Sequence, residues 1–148
     1  MIGIDYPTFV FGDRTLTVRY SLAAQLLMRR RGVEPSRLIQ ATSPRLHPGD
    51  LPCIAKGPCS VPGCRPNPDA VQAAFVVFSA CVAENYIELR PERVNLDAAP
   101  SADYWATQLD SEDFERAQKA VAEALSKMLE ARKRRLQAVE PPTESLAS

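Results

Sequence analysis

The sequence has no surplus of either charge and no long apolar run, and each absence excludes a class of protein. Eighteen Lys and Arg residues balance 18 Asp and Glu residues, so no net field attracts nucleic acid or an anionic membrane. No apolar run reaches the about 18 residues of a membrane-spanning helix. The N-terminus lacks the basic and then apolar pattern of a secretory signal. We therefore expect a cytoplasmic protein that binds no membrane and keeps its cysteines reduced.

Catalytic signatures are also missing. The sequence contains none of the short motifs that mark serine hydrolases, zinc peptidases, P-loop proteins or dinucleotide-binding enzymes. His47 is the only histidine and lies in a proline-rich stretch, whereas Cys81 lies among apolar residues. A nucleophilic Cys–His pair is therefore not expected. We predict that the protein is not an enzyme.

The 148 residues are enough for one domain with a buried core, since 45% of them are hydrophobic. Residues 8–20 predict an N-terminal β-hairpin, because two strand-like segments flank turn residues at Gly12. Four to five helices follow. The sequence thus predicts an α+β, mainly helical domain over residues 1–138, with a disordered tail over 139–148.

Two of the predicted helices stand out. Residues 69–85 are apolar on nearly every side, which is typical of a central buried helix. Residues 111–136 form the longest predicted helix, with apolar residues at helical spacing and Ser111 as the N-cap.

Residues 42–67 differ in composition from the rest of the chain. Seven of the 13 prolines lie between positions 44 and 68. Proline and glycine recur there too closely for a helix or a central strand. We therefore predict a long Pro- and Cys-rich loop inserted in the domain.

This predicted loop carries four candidate metal ligands. His47, Cys53, Cys59 and Cys64 are the residue types of a tetrahedral zinc site. Their spacing lacks the C-x2-C pair that usually presents two thiolates to one metal. Reduced thiols in a flexible loop are therefore the favoured interpretation. We expect no cofactor, with zinc as the alternative.

Two basic clusters, Arg29–Arg31 and Arg132–Arg135, lie at the C-terminal ends of predicted helices. Cations are favourable there because they complement the negative end of the helix dipole. Neither cluster is interleaved with aromatic residues, as a nucleic-acid footprint would be. We interpret both as solvated helix ends and do not expect nucleic-acid binding.

The order of these segments resembles that of the tail assembly chaperones of long-tailed phages and prophages. The resemblance rests on Phe9-Val10-Phe11-Gly12, on the alternating residues 15–20, on the Leu- and Ala-rich helix that ends at Gly32, and on the Ala-rich residues 117–125. It covers roughly two thirds of the chain and excludes residues 42–67.

The resemblance implies a noncatalytic protein that binds and solubilises the tape measure protein and helps to recruit tail tube subunits in the host cytoplasm. Self-association is a further interaction that fits such a protein. The residues that we expect to contact the client are Leu26, Phe75, Phe78, Trp105, Leu125 and Met128. Trp105 is also a candidate core anchor. The alternative function is a small metal- or nucleic-acid-binding regulatory protein that uses the cysteine loop and the basic helix ends.

Overall fold

A computed structural model describes residues 5–88, 90 and 92–139, and it confirms the predicted α+β, mainly helical fold. The predicted tail lies outside the described residues, apart from Val139 at the end of the last helix. No described helix has both the length and the apolar character to cross a membrane. The strands and α-helices are β1 (Thr8–Phe11), β2 (Arg14–Thr17), α1 (Leu22–Arg30), α2 (Leu38–Thr42), β3 (Arg45–His47), β4 (Leu51–Pro52), β5 (Arg65–Pro66), α3 (Ala70–Cys81), α4 (Ala102–Gln108) and α5 (Ser111–Val139).

Strands β1 and β2 form the predicted antiparallel hairpin. Phe9 pairs with Leu16, and both side chains are buried, while their neighbours along the strands are more exposed. This alternation is what the period of a β-strand requires when one face packs on a core. Just beyond β2, the N–H of Val18 still donates to the carbonyl of Pro7, and the N–H of Arg19 donates to the carbonyl of Cys81, both at 2.9 Å.

Helix α3 is the centre of the fold, as its composition predicts. Ten of its 12 residues are buried, including the polar Ser79. The helix is shorter than predicted, since the chain passes into a 3-10 turn over Ala83–Asn85. Asn85 holds that turn to the hairpin through two hydrogen bonds with the backbone of Thr17.

Helix α5 begins with a reciprocal cap at Asp110, and not at the predicted Ser111. The N–H of Asp113 donates to the Asp110 carboxylate at 2.8 Å, and the N–H of Asp110 donates to the Asp113 carboxylate at 3.2 Å. Asp110 and Ser111 are adjacent, and both are residue types that cap helices well. The reciprocal pair of Asp110 and Asp113 satisfies two backbone donors at once. The first half of the helix packs its alanines on the core, with Ala117 and Ala124 buried.

The predicted Pro- and Cys-rich loop over residues 42–67 is more ordered than expected, because it contains three short strands. Strand β3 pairs with β4 on one side and with β5 on the other, all antiparallel. Proline is excluded from the interior of a sheet but is tolerated on an edge strand. Pro52 and Pro66 lie on the two edge strands, and the central strand β3 contains none. We call residues 45–67 the β3–β5 lobe.

Candidate metal centre and apolar groove

The β3–β5 lobe brings together all four candidate ligands. The ligand atoms of His47, Cys53, Cys59 and Cys64 lie within 4.8 Å of one another. Nε2 of His47 is 3.3 Å from Sγ of Cys59. In a tetrahedral zinc site, bond lengths of about 2.0–2.3 Å place the ligand atoms about 3.5–3.8 Å apart. The cluster therefore needs only a small contraction to enclose one zinc ion.

Strand pairing produces this convergence. His47 is the last residue of β3 and lies opposite Leu51 of β4. Cys53 follows β4 directly, and its N–H donates to the carbonyl of Arg45 at 3.0 Å. Cys64 directly precedes β5, which pairs with the other edge of β3. The C-x5-C-x4-C spacing argued against a common site. The pairing of β4 and β5 with β3 nevertheless brings Cys53 and Cys64 close together, as a C-x2-C turn would.

A close approach between two turns fixes the position of Cys64. Gly63 has φ +82°, in the left-handed region that favours glycine. A Cβ at this position would lie 2.7 Å from Cγ of Pro48. The turn before Cys64 therefore packs directly against the turn that follows His47.

Asp50 fastens the β3–β4 turn to its surroundings. Its carboxylate accepts from Arg65 of β5 at 2.5 Å and from Arg37 at 2.9 Å. Arg37 belongs to the 3-10 turn that leads into α2. The ion pairs therefore connect the β3–β5 lobe to the start of that helix.

The cysteines of the cluster differ in acidity. A hydrogen bond from the backbone of Val61, together with one from His47, lowers the pKa of the Cys59 thiol to about 7. Desolvation, with hydrogen bonding to Cys59, raises the pKa of Cys64. The hydrogen bonds to Cys59 therefore favour its thiolate, which is the form that binds metals.

The β3–β5 lobe has almost no apolar core. Across residues 45–67, all of which the structure describes, Leu46 is the only buried side chain. It does not belong to the main core cluster. The larger apolar residues Leu51, Ile54 and Val61 are 61%, 92% and 44% exposed. Apolar burial within the lobe therefore contributes little to its stability.

Comparison with known proteins gives no family. No family model matches the chain, and no curated protein or solved structure is significantly similar to it.

A second candidate site is an apolar groove between α2, α3 and α5, with a volume of about 250 Å³. Phe75 and Phe114 both line it, with ring centroids 4.8 Å apart. Ile39 of α2 lies on its rim and is 66% exposed. Three of the predicted client-binding residues line this groove, namely Phe75, Phe78 and Leu125.

The other three predicted client-binding residues lie elsewhere. Trp105 is fully buried, with four aromatic rings around it, and belongs to the core. Leu26 is exposed on α1 and does not line the groove. Met128 lines a separate, more polar cleft beside Arg132 and Arg135. The six residues predicted to contact the client therefore lie in different parts of the fold, because helical periodicity marks core and interface residues alike.

Sequence reasoning missed Ile39 and Phe114. Both are apolar residues near the ends of predicted helices, and no pattern distinguishes a groove wall from a core position there. The residues of the groove, in chain order, are Leu38, Ile39, Thr42, Ala74, Phe75, Val77, Phe78, Leu109, Phe114, Ala117, Gln118, Val121, Ala122 and Leu125.

The first basic cluster is not a simple solvated helix end. Arg31 turns inward, donating to the hydroxyl of Ser79 at 2.8 Å and to the carbonyls of Ala99 and Pro100 at 3.2 Å. Desolvation lowers the pKa of this guanidinium, and the nearby Asp97 opposes the shift. Arg29 and Arg30 are paired with Glu34 and Asp97. The sequence did not predict the partners of Arg31, because they are far away in the chain and the helix dipole argument considers only the helix itself.

Proposed function

We propose that the protein is a noncatalytic tail assembly chaperone that binds an amphipathic helix of a tape measure protein in the groove between α2, α3 and α5. The observation that carries this proposal is the groove itself, which is lined by the half-buried Leu125 and by the buried rings of Phe75 and Phe78. Binding there keeps the client soluble in the host cytoplasm until tail tube subunits are recruited.

The size and the walls of the groove favour a helical client over a small ligand. Small-molecule pockets usually have volumes of about 300–1,000 Å³, and this groove has about 250 Å³. Its three walls are helices, and it is long enough along α5 to take apolar side chains that recur on one face of a client helix. Helix-in-groove recognition uses such anchors at i, i+3, i+4 and i+7.

Exposed apolar residues extend this surface beyond the groove. Leu129 and Leu136 of α5 are 57% and 65% exposed, although α5 is otherwise highly charged there. A client helix longer than the groove, or a second copy of the chain, would cover them. Contacts of modest area suit a chaperone, because it must release its client.

The alternative, a regulatory protein that binds nucleic acid, has weaker support. Nucleic-acid binding needs basic side chains that are free to neutralise phosphates. Arg29, Arg30 and Arg31 are engaged with partners in the fold. The metal-binding part of that alternative is supported by the four candidate ligands that converge in the β3–β5 lobe.

Co-expression of the protein with a tape measure chain tests the proposed groove. We expect Ile39→Asp to leave the client insoluble, because a carboxylate on the rim would lose its water when an apolar helix docks. Ile54→Asp is the matched control, since Ile54 is 92% exposed and lies outside the groove. Equal client solubility with both variants would contradict the proposed binding site.

A further inference from the structure

We propose that His47, Cys53, Cys59 and Cys64 bind one structural Zn²⁺ through Nε2 and three thiolates, and that this ion replaces an apolar core in the β3–β5 lobe. The inference is independent of the client and goes beyond the proposed chaperone function.

The donor set and its closure favour structural zinc. One imidazole nitrogen and three thiolates make a complete tetrahedral set, and a closed set of four protein ligands is the hallmark of a structural zinc site. Thiolates also disfavour Mg²⁺ and Ca²⁺, which require oxygen ligands. The chain therefore offers zinc no open position for a substrate or an activated water.

The sparse apolar burial in the lobe favours such an ion. Small folding units that cannot bury enough apolar surface are commonly held together by metals or disulfides. Here Leu46 is the only buried side chain of residues 45–67, and Ile54 is almost fully exposed. Because an unfolded chain has no preformed site, the free energy of zinc binding would be available to stabilise the folded lobe.

The pairing of the backbone places the ligands around one point. Pairing of β3 with both neighbours places Cys53 and Cys64 on either side of His47. The contact between Gly63 and Pro48 leaves no room for another side chain there. Strand ends therefore present His47, Cys53 and Cys64, and Cys59 lies in the connection between β4 and β5.

The same lobe supports α2. The side chain of Asn67 donates to the carbonyls of Gln40, Ala41 and Ser43 at 3.0–3.3 Å, which caps the C-terminal end of α2. Asp50 holds Arg37 at its other end. Zinc would thus also stabilise the helix that forms one wall of the groove.

Metal analysis of the full chain tests the proposal. The protein is purified under reducing conditions, and its zinc content is measured. We expect one zinc per chain for the wild type and for Cys81→Ala, whose thiol lies outside the cluster. We expect none for the double variant C53S and C64S. Retention of zinc by the double variant, or no zinc in any of the proteins, would overturn the proposal.

Cobalt binding by the wild type tests the site without any variant, so a variant that fails to fold does not affect the result. The wild type is stripped of metal with a chelator and titrated with Co²⁺ alone. We expect thiolate-to-cobalt charge-transfer bands, together with the intense visible bands of tetrahedral cobalt, that saturate at one equivalent and disappear on addition of Zn²⁺. Only weak octahedral bands would contradict the site. A disulfide among these cysteines in freshly purified protein, detected by intact mass, would also contradict it.

Discussion

His47 and Cys59 are 12 residues apart in the chain, yet Nε2 of one lies 3.3 Å from Sγ of the other. The contact depends on two strand pairings and a turn, and not on local sequence spacing. The pKa of the Cys59 thiol in this cluster is lowered to about 7, chiefly by the hydrogen bond from the Val61 backbone.

The four cysteines should react in two distinct classes. Burial raises the pKa of the Cys81 thiol to about 12, with the nearby Glu84 adding to the shift. We expect zinc to protect the other three thiols, so that a disulfide reagent labels few sites in the native protein. A strong chelator should release three fast-reacting thiols, and denaturant should release the fourth. Three fast thiols before chelation would contradict bound zinc.

Gly63→Ala should weaken metal binding. The new Cβ would lie 2.7 Å from Cγ of Pro48, and the φ of +82° is unfavourable for alanine. Strain of this kind costs about 1–3 kcal/mol, which corresponds to about 5- to 150-fold in zinc affinity. Competition with a chromophoric chelator measures the change. Gly57→Ala is the control, because its Cβ would meet no atom within 4 Å, and equal affinities of the two variants would count against the argument.

Trp105→Ala should act on stability and not on a docking surface. The indole is fully buried, so its removal should lower the free energy of unfolding by about 3–5 kcal/mol. Urea unfolding followed by circular dichroism measures this loss. Tyr104→Ala, at a 42% exposed neighbour, should cost much less. A small effect of Trp105→Ala on stability, with loss of client binding, would restore Trp105 as a contact residue.

The cap of α5 should give a stability difference that depends on pH. Hydrogen bonding to Arg116, and then to the Asp110 backbone, holds the pKa of Asp113 below its ordinary 3.8. The ionised carboxylate therefore stabilises the folded state above pH 3.8, and this stabilisation is lost as the pH falls through the lower folded-state pKa.

We accordingly expect Asp113→Asn to be less stable than the wild type at neutral pH. The difference should shrink as the pH is lowered below 3.8. Urea midpoints of the two proteins provide the measurement, and the β3–β5 lobe is common to both, so its own acid sensitivity cancels. A difference that stays constant with pH would argue against the ionised cap.

The sequence predicts the hairpin and the long helices well, because each carries a periodic pattern over many residues. Phe9 and Leu16 alternate with polar neighbours, and residues 70–81 are apolar on almost every side. The β3–β5 lobe could not be predicted in this way. Its strands have only two or three residues, too few for a periodic signal, and two of the prolines that suggested a loop, Pro52 and Pro66, occupy edge strands.

The groove was predicted only in part for a related reason. Phe75, Phe78 and Leu125 were identified as apolar residues at helical spacing, but the same spacing also selected the fully buried Trp105. Which of these residues line a groove depends on where α2 packs. That packing is fixed by long-range contacts such as the Asn67 cap, which local patterns do not encode.

Co-purification with neighbouring gene products tests the central claim most directly. The tagged protein is co-expressed with each open reading frame that flanks its own, and the captured chains are identified by mass spectrometry. The account predicts recovery of a long, helical, tape-measure-like chain by the wild type, with loss of that chain in Ile39→Asp and retention in Ile54→Asp. Capture of nucleic acid with no protein partner would contradict the proposed chaperone function.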